Sequence, residues 1–199
     1  MKKLICSALV PVFIFALCAC SNNTPETEAQ EEEQEVTESL ASEETGASEE
    51  SVSYGGVEFE TEDLDGNAVD AQTLFASSEI TMLNFWGTYC GPCINEMPDL
   101  EALNQELQGT GVTIVGVVVD VSLQDDSYLG AAEDIVAQTG VTYKNLMIWD
   151  SAPMDFDLQF VPTTVFIDSE GNMVGEPVIG SRGADEYMEI IRDILSSME

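Results

Sequence analysis

Two thiols separated by two residues are the chemistry-bearing feature of this chain. They are Cys90 and Cys93 in the stretch FWGTYCGPC. Such a pair can be half of a zinc site, a structural staple or a redox couple. Structural zinc needs four ligands, and the 199 residues contain no histidine and five cysteines in all. A disulfide across two residues closes too small a loop to remove much entropy from the unfolded chain, so it is a poor staple. A redox pair fits better. An apolar segment, Ile80 to Phe85, precedes the cysteines and apolar residues at helical spacing follow them. Cys90 is thereby expected at a helix N-terminus, where unpaired N–H groups and the helix dipole favour a thiolate, the attacking species in disulfide exchange. Cys93, one turn inward, can resolve the resulting mixed disulfide. Gly91 leaves room for a partner's backbone, and Pro92 falls early in the helix, where its missing N–H costs little.

The lack of histidine also excludes imidazole metal ligands, Ser/His and Cys/His catalytic pairs and a near-neutral histidine switch. The other three cysteines lie in the first twenty residues. Lys2 and Lys3 head an apolar run from Leu4 to Ala19, followed by Cys20. A positive head, a short apolar core and a small residue before the cut describe a secretory signal. The run is short for a membrane span, which needs about 20 residues. The LCAC sequence resembles a bacterial lipoprotein signal, which implies lipidation of Cys20 after removal of residues 1–19. Cys6 and Cys18 would leave with the signal, so Cys90 and Cys93 would be the only thiols of a protein outside the cytoplasmic membrane, where disulfides persist.

Residues 20–51 are expected to be the lipidated cysteine and a disordered tether. Eleven glutamates and no basic residue fall between Ser21 and Ser51, a composition that cannot bury enough surface to fold. The remaining domain, 52–199, carries 27 acidic residues against Lys144, Arg182 and Arg192. It should repel nucleic acid and anionic headgroups.

The elements that must position the cysteines can be read from periodicity. A hairpin is expected around Asp65-Gly66, then a short helical turn capped by Asp70 and ending at Phe75. Ile80 to Phe85 is a compact apolar strand. Ile94, Met97, Leu100, Leu103 and Leu107 mark a helix, with a kink expected at Pro98. Val112 to Val119 is a β-branched run suited to a parallel strand buried on both faces. Leu129 to Val136 forms a helix ended near Gly140. A short strand is expected in YKNLMIW and a helical turn in PMDFDLQF. Thr163–Ile167 and Met173–Ile179 are strands joined by a hairpin, and Tyr187 to Leu195 mark a terminal helix. Early alternation implies parallel crossovers and the late hairpin adds antiparallel strands. The fold class is therefore α/β, a mixed central sheet with helices on both faces and an N-terminal β-hairpin extension.

NFWGTYCGPC, followed by INEMP and later VPTTVFIDSEGN, resembles the thioredoxin superfamily. It is most similar to the membrane-tethered TlpA/ResA-type thiol-disulfide oxidoreductases, over about Val57 to Met198. The resemblance implies a thioredoxin-like fold, Cys90 as nucleophile and Cys93 as resolver. It implies that Val161-Pro162 is the family's cis-proline loop, offering backbone to substrate, and that Trp86 borders the site. Where many thioredoxins carry a buried aspartate, this chain has Asn84. Glu96 matches a glutamate that recurs in the TlpA/ResA group and is assigned proton handling. Gly87 and Tyr89 replace the more usual alanine and tryptophan. The Gly-Pro between the cysteines resembles the reducing thioredoxins. The implied activity is disulfide reduction without a cofactor beyond the cysteine pair. The implied electron donor is a membrane protein of the CcdA/DsbD kind. The implied substrates are apocytochrome c, oxidised methionine sulfoxide reductase or another surface protein. Two alternatives stand beside this reading. One is a peroxiredoxin-like thiol peroxidase, against which Thr88 is misplaced and a preceding proline is missing. The other is a binding lipoprotein with an inert disulfide.

Overall fold

The computed structural model describes residues 56–198. The expected signal, Cys20 and the acidic segment lie outside the described residues. Five strands form one sheet in the order β5-β4-β3-β6-β7. Its centre is β3 (Ile80–Trp86), every residue of which is buried. On one side β3 pairs in parallel with β4 (Val112–Ser122), which pairs in parallel with β5 (Asn145–Ile148). On the other side β6 (Thr163–Asp168) and β7 (Met173–Ile179) are antiparallel. The expected mixed sheet is the observed one. β4 continues three residues beyond the expected end at Val119.

Side-chain alternation along β3 builds two core layers. Ile80, Met82 and Trp86 pack with Met97, Leu100 and Leu103 of α2 (Gly91–Glu106), Ala132 of α3 (Leu129–Thr139), and Tyr187, Ile191 and Ile194 of α5 (Ala184–Met198). Leu83 and Phe85 face the other way, onto Phe75 of α1 (Ala71–Ala76) and Ala152 of α4 (Ala152–Asp155). Local signals in the sequence set the helix ends. Asp70 caps α1 by accepting the N–H of Thr73 at 2.8 Å. Gly140 ends α3 in the left-handed conformation (φ 73°), which costs glycine nothing. α2 runs through Pro98 as one helix.

The N-terminal hairpin joins β1 (Glu60–Glu62) to β2 (Ala68–Asp70). Thr61 Oγ1 donates to the Met147 carbonyl at 2.9 Å and the Leu64 N–H to the Asn145 carbonyl at 3.0 Å, tying it to β5, and two side-chain contacts add to these. Phe59 stacks on Trp149 with ring centroids 3.9 Å apart, and Asp63 accepts from the Lys144 ammonium at 2.8 Å. Burial alone would raise the Asp63 pKa, but Lys144 and Asn67 outweigh it and hold the carboxyl below its usual range. Aromatic pairs contribute about 0.5–1.5 kcal/mol beyond their buried area. A half-exposed lysine pair contributes about 0–1 kcal/mol. The aromatic stack is therefore the stronger of these two side-chain contacts.

Candidate active site

β3 ends at Trp86, and the chain leaves the sheet through Gly87, Thr88 and Tyr89. The Cys90 N–H closes this turn on the Gly87 carbonyl at 3.0 Å. Cys90 then occupies the cap position of α2, and its Sγ accepts the N–H of Cys93 at 3.3 Å. The first N–H groups of a helix have no intrahelical partners. Here one of them is aimed at sulfur, which favours a thiolate once the disulfide opens. Pro92 lies in the first helical turn.

Cys90 and Cys93 are joined as a disulfide, with Cα atoms 5.3 Å apart. Their exposures differ: 6% for Cys90 and 0% for Cys93. Only Cys90 can meet a partner. The Val161 carbonyl lies 3.6 Å from Cys90 Sγ, and the Val161-Pro162 peptide is cis. Pro162 in turn accepts the N–H of Gly180 at 2.8 Å, which ties the proline loop to the end of β7. A side chain on Gly91 would meet nothing of this chain within 4 Å, so that face is open.

Exposed apolar side chains lie on the segments that adjoin Cys90. Tyr89 is 71% exposed; Phe160 and Ile179 are also largely exposed. These three flank the cysteine turn, the proline loop and the end of β7. The two departures before Cys90 touch each other. A Cβ on Gly87 would come within 2.8 Å of the Tyr89 ring. Trp86, expected to border the site, closes β3 immediately before the cysteine turn. It has no exposed surface. Its indole N–H donates to Asn145 Oδ1 at 2.9 Å.

Glu96 is buried, not a solvated helix residue. Its Oε1 accepts from Asn84 Nδ2 at 3.0 Å and its Oε2 accepts from the Arg182 backbone N–H at 3.1 Å. Asn84 Nδ2 also donates to Thr164 Oγ1 at 3.0 Å, and Thr164 shares a 2.9 Å hydrogen bond with the Tyr187 hydroxyl. A polar chain thus runs from α2 through β3 and β6 to α5. Burial raises the Glu96 pKa; the bonds from Asn84 and Arg182 only partly offset it. Burial and the Glu96 charge push the Tyr187 hydroxyl up to about 12. A polar cleft of about 400 Å3, lined by Pro92, Asn95, Glu96, Asp99 and Arg182 among others, connects the carboxyl to the surface.

This has a testable consequence for stability. In the oxidised protein the thiols do not titrate. The native state binds a proton on Glu96 more tightly than the unfolded chain does. As pH rises from the ordinary value of 4.5 through the raised native value, the native state holds more protons and stability must fall. Asp63 and Glu101 have lowered pKa values, so their contribution is lost below that window as pH falls. Urea unfolding across a pH series should show the downward slope in wild type and its absence in Glu96→Gln. Parallel curves would assign the titration to another group.

Sequence reasoning missed Asp120, Thr164, Tyr187 and Arg182. Asp120 accepts the Thr88 N–H at 3.0 Å and the Thr88 hydroxyl. The one available signal was register, because a parallel partner strand places Asp120 beside the cysteine turn.

Comparison with known proteins agrees with this geometry. The Redoxin family model matches residues 51–180. The chain is 33% identical over 143 residues to thiol-disulfide oxidoreductase ResA of Halalkalibacterium halodurans, covering 68% of this chain and 74% of that one. It is 30% identical over 152 residues to ResA of Bacillus subtilis, covering 73% and 80%. A crystal structure of a thioredoxin-family thiol:disulfide interchange protein from Chlorobium tepidum superposes with a TM-score of 0.61 at 22% identity. It covers 73% of this chain and 99% of that one, and at that identity it speaks for the fold. The chain belongs to the redoxin family, as a thiol-disulfide oxidoreductase of the TlpA/ResA type within the thioredoxin superfamily.

Proposed function

We propose that the protein reduces disulfides of partner proteins outside the cytoplasmic membrane, held there by lipid on Cys20. The carrying observation is the asymmetry of the pair: a Cys90 at a helix cap with 6% of its surface free and a fully buried Cys93. In the reduced enzyme the Cys90 thiolate attacks one sulfur of a partner's disulfide. The other partner sulfur leaves as a thiolate and takes a proton. Cys93, deprotonated, then attacks Cys90 Sγ and releases the second partner thiol. The partner gains two electrons and two protons, and the enzyme is left with the Cys90–Cys93 disulfide. Glu96, buried and opening to a polar cleft, handles the proton of Cys93. Val161, Pro162 and Gly91 receive the partner's backbone, and the apolar rim of Tyr89, Phe160 and Ile179 covers its side chains.

No separate cofactor enters this cycle. Re-reduction requires a membrane dithiol donor of the CcdA/DsbD kind, and apocytochrome c or oxidised methionine sulfoxide reductase are candidate substrates. Support for an envelope location is the signal-like N-terminus. Among the described residues no helix is long and apolar enough to cross a membrane.

The reduction potential tests the direction. The folded domain, equilibrated in dithiothreitol or glutathione buffers and alkylated, should give a value at or below about −220 mV. A value near −120 mV, that of a strong oxidant, would reverse the proposal.

A further inference from the structure

We infer that Asp120 is a positioning residue for Cys90, acting through Thr88. This rests on the reading of Cys90 as the attacking thiol. The parallel ladder of β3 and β4 runs from Ile80 opposite Val112 to Trp86 opposite Val118 and stops there. Had it continued, Thr88 would stand opposite Asp120. The backbone cannot continue, because the chain must leave the sheet to bring Cys90 to the cap of α2. At that point a side chain takes over the role of the ladder. The Thr88 N–H donates to Asp120 Oδ1 at 3.0 Å and to Oδ2 at 3.3 Å. The Thr88 hydroxyl also donates to Oδ2.

Asp120 is free to do this because pairing of β4 with β5 shifts register between Val118 and Ser122. Both Thr88 and Asp120 are half-buried. A backbone N–H left without a partner at such a place would be costly, and hydrogen bonds to a charged acceptor are the stronger kind. The anchor grips the middle of the turn whose end is the Cys90 N–H bonded to the Gly87 carbonyl. It therefore fixes the turn that sets Cys90 Sγ against the Cys93 N–H. Removing it should loosen the nucleophile without touching either sulfur.

The test is the limiting, pH-independent rate at which the reduced protein reacts with a small disulfide, 4,4′-dithiodipyridine. The reacting cysteine is mapped by mass spectrometry and the fold is checked by thermal melting. Asp120→Ala should slow Cys90 by about tenfold, the scale of one ordinary hydrogen bond, and Thr88→Val, which loses the hydroxyl but keeps the backbone N–H, by about fivefold. Thr88→Ser, which keeps the N–H and the hydroxyl, should stay within about twofold of wild type. Asp120→Asn, which keeps an oxygen acceptor, should retain more rate than Asp120→Ala. An Asp120→Ala protein that is folded and reacts at the wild-type rate overturns the inference. So does Asp120→Asn falling as far as Asp120→Ala, because charge and not anchoring would then be at work. Should Asp120→Ala fail to fold, Thr88→Val decides alone. If the fast thiol in wild type maps to Cys93, the underlying reading of Cys90 fails instead, and the two failures are told apart.

Discussion

Cys93→Ser should stop turnover while leaving the first chemical step intact. Cys90 keeps its cap position and its slight exposure, so it can still attack a partner's disulfide. Without the buried sulfur one turn along α2, nothing inside the protein can displace it. The enzyme should accumulate as a mixed disulfide with its partner, visible as a mass increase that dithiothreitol removes. Turnover should fall on the order of a thousandfold or more, since the two cysteines act as a unit and neither half sustains the cycle. Residual release would depend on an external thiol reaching Cys90, which has only 6% of its surface free. Cys90→Ser should also stop turnover but form no adduct, because Cys93 has no exposed surface. Adduct formation by Cys90→Ser, or near-normal turnover by Cys93→Ser, would refute the assignment of nucleophile and resolver.

The placement of the two cysteines could be read from one short segment because the determinants are local. A strand, a turn and a helix cap lie within the stretch from Ile80 to Cys93. The same holds for the cap at Asp70, the stop at Gly140 and the β-branched run of β4. What remained illegible depends on which segments meet. Glu96 was singled out by the resemblance to the TlpA/ResA group, but its burial goes with Asn84 of β3 and the Arg182 backbone just before α5, which both bond its carboxyl. Trp86 was placed beside the site by the resemblance. Its orientation instead follows from strand parity, which turns it into the core with Ile80 and Met82. The apolar rim draws on residues as far apart as Tyr89, Phe160 and Ile179. Each alone is an ordinary exposed hydrophobe; only the fold brings the cysteine turn, the proline loop and the end of β7 together.

Gly116→Ala should be among the most damaging single changes in the domain, although alanine is ordinarily the better strand residue. Gly116 lies in β4, paired with Asn84 on one side and Asn145 on the other. A Cβ there would overlap Asn145 Oδ1 and stand 2.9 Å from Asn145 Cγ and 3.1 Å from Trp86 Nε1. The only group that can give way is the Asn145 carboxamide, and it is the acceptor of the Trp86 indole N–H. Overpacking costs about 1–3 kcal/mol. Leaving a buried indole N–H unpaired adds about 1–3 kcal/mol. A combined loss of about 2–6 kcal/mol is a large part of the 5–15 kcal/mol typical of a domain. It should lower the melting temperature by roughly 5–20 °C. The mechanism makes a sharper statement than the magnitude. In an Asn145→Ala background the overlap is gone and the indole has already lost its acceptor, so adding Gly116→Ala should cost less than about 1 kcal/mol. If the second change costs as much there as in wild type, the damage comes from elsewhere, and the buried Trp86–Asn145 pair is not what requires glycine. Trp86 is the last residue of β3 before the active-site turn. The glycine therefore preserves the floor on which that turn rests.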